Sequence, residues 1–360
     1  MKRGSFVVLA LIMLAVGMPA EAQQAATDDV EERGSVIVFP KFTKGVLERD
    51  NVSRPRTEIE LRVRCPRGGD CPESESVKIR FHWVCPGSDD IASKYVCKGA
   101  GFDIRTSVDG KVSFNPEDPN LSGNNPASSA PCPNGYLIGW VINPDTNRPI
   151  KYDGLSGGAT LWDSSSGAVE KYRAITIEAA TDLPTRAEVT TDIDPRSGTP
   201  ALVFDGAAGH YQGLDAGIPQ DLEYQRLSGP LSSNEGFLIL LTLDVRLSRP
   251  NYPVFVDLNF RSDQGIRAST SKNFTCWTEI QSPKIGETFT LAGARARNRI
   301  IISGRAAKVP FGGISDIPGP VTLLGLVPTE EGHGGRSMDS AYMVNWVQQS
   351  KPMTVFLPFE

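Results

Sequence analysis

The sequence predicts an all-β fold: a disulfide-stapled β-sandwich, built as one sandwich or as two sandwich-like halves, with little helix. Three observations lead there. Short apolar runs with period-2 alternation recur along the chain. Gly at 35 and Pro at 27 punctuate them and break up helices. Six cysteines, an even number, follow an N-terminal segment of secretory type.

Lys2 and Arg3 form a positive n-region, and Phe6 to Met18 is an uncharged apolar run. Small Ala20 and Ala22 follow at the positions a signal peptidase reads. The expectation is a secretory signal peptide over residues 1–22. The apolar run is too short to cross a ~30 Å hydrocarbon core as a helix. No Cys follows the cleavage site to take a lipid, and no other stretch is a spanning candidate. Loss of Lys2, Arg3 and Glu21 would move the formal net charge from −5 to about −6. That balance, with no Lys/Arg cluster, argues against nucleic acid as a partner.

The expected layout is a flexible tail at 23–33, a β-rich half at 34–182 with most of the cysteines, a loop-rich connection at 183–235, and a second β-rich half at 236–360. The halves can pack as one domain. Within this layout, Val36 to Phe39 starts the folded part as a short strand. Ile59, Leu61 and Val63 then alternate with Glu60, Arg62 and Arg64 before Cys65. After Cys71, Val77, Ile79, Phe81 and Trp83 alternate with Lys78, Arg80 and His82. These are two strands around a Gly-Gly turn, expected to pair as a hairpin with Cys65 and Cys71 bridged at its neck. Asp109-Gly110 between two strand-like runs is a second hairpin signal.

"GYLIGWVI" from Gly135 reads as a central strand, and "AITIEA" and Ala201 to Phe204 as further strands. "FLILLTLDVRL", "PVFVDLNF", "RIIIS" and "VTLLGLV" continue the pattern. Only Ser337 to Gln349 has a helical pattern, and it could equally be a strand. "GYLI" from Gly135 and "GFLI" from Gly236, each followed by Arg-Pro, hint at a duplication.

Six cysteines allow 15 pairings. Proximity favours Cys65–Cys71 and Cys85–Cys97, which leaves Cys132 with Cys276 by elimination. On the chain-entropy view the first closure is worth ~2 kcal/mol and the last ~5 kcal/mol. A zinc or redox reading of "CPRGGDC" is weaker, because zinc needs four ligands and redox pairs favour C-x-x-C.

Gly154 to Gly158, "GLSGG", fits the G-x-S-x-G nucleophile pattern, with Asp205 and His210 as triad partners, or Asp257 and His333. No strong helix follows Ser156, as the elbow would require. His82 falls on the wet face of its strand and reads as a solvated residue. Asp192, Asp194, Asp205 and Asp215 form an acidic loop region that could take calcium, although no EF-hand spacing is present. The alternative is ordinary turn chemistry. Three N-x-S/T sequons occur, at Asn51, Asn120 and Asn273. Trp83 and Trp277 read as core, and Trp162 is the tryptophan to test for exposure. No cofactor motif is present, and no cofactor or resident metal is expected.

The function class that follows is a secreted, non-catalytic structural or binding protein of the cell envelope or extracellular space. Its expected partner classes are protein or carbohydrate at the cell surface. The runner-up is a secreted hydrolase, either a serine esterase on Ser156 or a carboxylate-based glycosidase. A carbohydrate-binding module is the third option and asks for exposed, coplanar aromatics.

Overall fold

The computed structural model describes residues 33–45, 56–72, 75–87, 96–117, 120–121, 125–126, 129–163, 168–194, 198–213, 224–226, 237–243, 245–246, 251, 253–262, 267–281, 298–308, 324–331, 335–341 and 355–358. In chain order the strands are β1 (Val36–Thr43), β2 (Arg56–Val63), β3 (Ser76–Val84), β4 (Gly99–Ser107), β5 (Lys111–Phe114), β6 (Asn120–Leu121) and β7 (Asn125–Pro126). Then come β8 (Asn134–Ile142), β9 (Leu155–Asp163), β10 (Ala168–Arg173), β11 (Ile175–Ile177), β12 (Thr191–Ile193), β13 (Pro200–Phe204) and β14 (Tyr224–Arg226). The last are β15 (Phe237–Leu241), β16 (Val254–Ser262), β17 (Arg267–Phe274), β18 (Trp277–Gln281), β19 (Asn298–Lys308), β20 (Leu324–Glu331), β21 (Gly335–Ala341) and β22 (Val355–Pro358). No helix occurs among the described residues. Residues 1–22, expected to be a signal peptide, and Asn51, Asp215, His333 and Trp346 lie outside them, as do residues 342–349 of the segment with a helical pattern; its first part is strand β21.

Two large sheets pack in a sandwich-like arrangement. One has five strands in the order β11-β1-β8-β3-β4; the other has eight, β18-β15-β20-β21-β10-β9-β2-β5. The alternation of β2 and β3 places their apolar residues between the sheets. Phe114 of β5 meets Phe81, Phe102 and Trp83 from the opposite sheet at ring-centroid distances of 5.7, 5.9 and 6.2 Å. Gly157 on β9 lies under β1, where an added methyl would come within 3.2 Å of Phe39 and 3.3 Å of Ile37. Smaller sheets, β12-β13-β22 and β14-β19-β16-β17, complete the described architecture.

"GYLIGWVI" forms β8, the middle strand of the five, as its unbroken apolar run implies. Both of its faces are covered. Leu137 and Val141 point into the sandwich, and Ile138, Trp140 and Ile142 are just as deeply buried on the other side. Val36 and Val38 of β1 and Ile175 and Ile177 of β11 share that second buried face. Tyr136 there donates its hydroxyl to the Thr242 carbonyl oxygen at 3.0 Å. The five-stranded sheet is therefore a middle layer.

Two expectations about pairing are corrected. The strands flanking "CPRGGDC" do not form a hairpin: β2 pairs with β5 and β9, whereas β3 pairs with β4 and β8. Asp109-Gly110 likewise joins β4 of one sheet to β5 of the other. Asp109 takes the left-handed region (φ 57°) and Gly110 N–H bonds to Ser107 O at 3.0 Å, so the tight turn is real. Both turns carry the chain across the sandwich. Alternation and turn chemistry report local shape; they do not encode which sheet the next strand joins.

The cysteine pairing is corrected in part. Cys65 does pair with Cys71 (Cα–Cα 5.8 Å). Cys85 pairs with Cys132 (5.9 Å) and Cys97 with Cys276 (6.4 Å), which replaces the expected Cys85–Cys97 and Cys132–Cys276. Strand neighbours explain the first change. Val84 and Tyr136 are register partners, so Cys85, just after β3, meets Cys132, just before β8. The duplication also fails on placement, because β8 lies third of five strands and β15 second of eight in another sheet.

Candidate functional site

The G-x-S-x-G segment is consumed by packing. Ser156 sits within extended β9, in register with Arg62 of β2, and not on a strand-to-helix elbow. It is 2% exposed, and its Oγ has no hydrogen-bond partner among the described residues. The glycines around it serve close approach: an added Cβ would come within 2.1 Å of Arg64 O at Gly154 and 2.4 Å of Glu60 O at Gly157. Asp205 and His210 do meet, with Oδ1 and Nδ1 2.8 Å apart, in the turn after β13. Ser156 does not join them by a hydrogen bond, so the three form no relay.

The described acidic positions, Asp192, Asp194 and Asp205, do not come together either. Asp192 Oδ1 accepts the Ile193 N–H, Asp194 is buried beside the turn closed by Gly198, and Asp205 faces His210. No group of three or more His, Cys, Asp or Glu side chains able to hold a metal occurs among the described residues. Asp192, Asp194 and Asp205 are therefore not assembled as a calcium site, and the bonds that Asp192 and Asp205 accept from the Ile193 and Ala207 N–H groups are those of turn chemistry.

His82 overturns its expectation. It lies on the face of β3 read as wet, yet is only 8% exposed, because that face is covered at the β8 side. Its ring stacks on Trp140 (centroids 5.1 Å, planes 17° apart), and Gly101 beneath leaves room for it. Burial, with the Arg80 charge assisting, depresses its pKa to about 4, so the ring is neutral at pH 7. Towards the sheet edge the same face is ionic: Asp103 accepts Arg80 Nε at 2.8 Å and lies 3.0 Å from Lys78 Nζ. Burial raises the Asp103 carboxyl, but the bonds from Arg80 and Lys78 outweigh it and leave the pKa lowered.

A second polar cluster pins the start of β1. Ser35 Oγ donates to Asp153 Oδ1 at 2.6 Å and accepts the Tyr152 N–H at 2.7 Å, while Asp153 also accepts the Ala179 N–H at 2.9 Å. Every bond joins one segment of chain to another, which is a structural use.

One surface remains: the outer face of β10-β9-β2-β5. The register aligns its side chains in rows. Trp162 lies opposite Arg56; Thr160 lies between Lys171 and Glu58; Gly158 lies between Arg173 and Glu60; Lys111 lies opposite Arg62. Trp162 is 40% exposed and, with Ile193, is one of two exposed large apolar residues among those described. Trp83, Trp140 and Trp277 are buried. Among the described residues, five cations share this face with two carboxylates, on a chain of net charge −5. Glu60 is already engaged, by Arg62 Nε at 2.7 Å and Lys111 Nζ at 2.6 Å. Burial raises its pKa, and the bonds from Lys111 and Arg62 more than offset that and leave it lowered.

The sequence carried half of this signal. Trp162 stood out as the tryptophan to test, but the cations come from three strands that are far apart in the chain and become one patch only through the register. Comparison of the chain with protein-family models, with curated proteins and with solved structures finds no match.

Proposed function

We propose that the chain is a secreted, non-catalytic binding protein of the cell envelope or extracellular space, and that the outer face of β10-β9-β2-β5 is its binding surface. The observation that carries the reading is Trp162, held 40% exposed in register with Arg56 while three other tryptophans are buried. Exposed aromatics beside Arg are typical of recognition hot spots. The pairing of six cysteines supports an oxidising compartment. No helix among the described residues is long and apolar enough to cross a membrane. The cross-linked layers would serve as a stiff mount for the face.

The test is co-sedimentation of the purified protein with washed envelopes of the producing cells. The expected result is that wild type sediments and Trp162→Ala remains in solution at equal folded content. Equal sedimentation of the two, or of neither, sinks the reading. Esterase activity that disappears in Ser156→Ala would sink its non-catalytic part.

A further inference from the structure

Resting on that reading, we infer that the partner is an anionic polysaccharide, lying across the sheet with a sugar ring on Trp162 and its acidic groups against Arg56, Lys171 and their cationic neighbours. The first argument is charge. The chain is acidic overall, yet the described residues of this face include five cations and two carboxylates, one of them held by Arg62 and Lys111. A local excess of positive charge on an acidic protein selects anionic partners and sets their approach. Arg56 and Lys171 are both exposed, and neither has an ion pair among the described residues.

The second argument is shape. Rows along each strand repeat every ~6.6 Å and neighbouring strands lie ~4.8 Å apart, so the side chains form a flat grid. Gly158 lacks a side chain between Arg173 and Glu60, which leaves a shallow bed two rows, about 13 Å, along the strand from Trp162. An indole face presents its negative quadrupole to polarised C–H groups, such as those on one side of a pyranose ring. Thr160 beside it supplies a hydroxyl.

The third argument separates a glycan from an acidic peptide. Peptides commonly gain affinity by adding a strand to a free sheet edge. Here Trp162 stands on β9, whose backbone groups are paired to β2 and β10 on both sides, so recognition around Trp162 uses side chains. That suits a polymer without backbone amides.

Affinity gel electrophoresis of the full chain tests the inference, with polygalacturonate, dextran sulfate, neutral dextran and poly-glutamate in separate gels. The expected result is retardation by one or both acidic polysaccharides, which identifies carboxylate or sulfate as the recognised group. Neutral dextran should not retard the protein. Trp162→Ala, and Arg56→Glu with Lys171→Glu, should each weaken binding roughly tenfold at unchanged melting temperature. For wild type, affinity should fall about tenfold or more between ~50 and ~200 mM salt.

Equal binding to neutral dextran overturns the inference. So does acidic-glycan binding indifferent to both variants, or poly-glutamate binding as tight as the glycans. No retardation by either glycan, with Trp162-dependent envelope binding intact, overturns the inference and leaves the binding surface standing. Loss of envelope binding as well removes both.

Discussion

Removing the Cys97–Cys276 bridge should destabilise the protein more than removing either other bridge. The three bridges span sequence separations of 6, 47 and 179 residues. Constraint of the unfolded chain then gives ~2 kcal/mol for Cys65–Cys71, ~4 for Cys85–Cys132 and ~5 for Cys97–Cys276. Arg33 to Glu360 form one compact unit, whose unfolding is treated as a single transition. At ~2.1 cal/mol/K per residue its unfolding entropy is roughly 0.7 kcal/mol/K, so the expected drops in Tm are about 3, 6 and 7 °C. Cys97 and Cys276 are also fully buried, so trimming them to Ala leaves a small cavity that adds to the loss. The assay is calorimetry on three Cys→Ala double variants, with a non-reduced peptide map of wild type. A Cys65/Cys71 variant that melts as low as the Cys97/Cys276 variant would refute the reasoning. A map joining Cys85 to Cys97 would refute its structural basis.

Three more outcomes are expected. His82 titrates near 4 when folded and near 6.5 when unfolded. The unfolded state therefore binds more protons between those values, stability falls as pH drops through that window by about 3 kcal/mol, and it is flat above it. Urea titrations at pH 4.5 and 7 should show this slope in wild type and lose most of it in His82→Phe; an unchanged slope would place the acid lability elsewhere. Ser156→Ala should be neutral or stabilise by up to ~1 kcal/mol, since it removes a buried hydroxyl with no bond. Gly157→Ala should cost ~1–3 kcal/mol because its methyl meets Glu60 O. Denaturant midpoints check the pair, and the reverse order would show that the motif is not a packing device.

The legible part of this fold was whatever a strand determines by itself. Ile59, Leu61 and Val63 point inward and Glu60 and Arg62 outward, as period-2 alternation requires, and β8 is central as its unbroken apolar run requires. What stayed hidden depends on a second segment. Cys85 lies close in sequence to Cys97 but its sulfur meets Cys132, because β3 and β8 are neighbours in the sheet. His82 belongs to a face whose fate is decided by what covers β8. Trp162 was visible as a residue, whereas its cationic surroundings required the pairing of β2, β9 and β10.

One pairing reaches further into the life of the chain. Strand β10 lies parallel to β21, with Glu170 opposite Arg336. Until the C-terminal part has been made or delivered, β10 presents an open row of amide and carbonyl groups, a template for another chain. Sheets closed by such distant segments also form slowly. A protein threaded N-terminus first into its compartment would therefore emerge with its longest sheet unfinished, and premature termination before β21 would yield a sticky product as well as a shorter one.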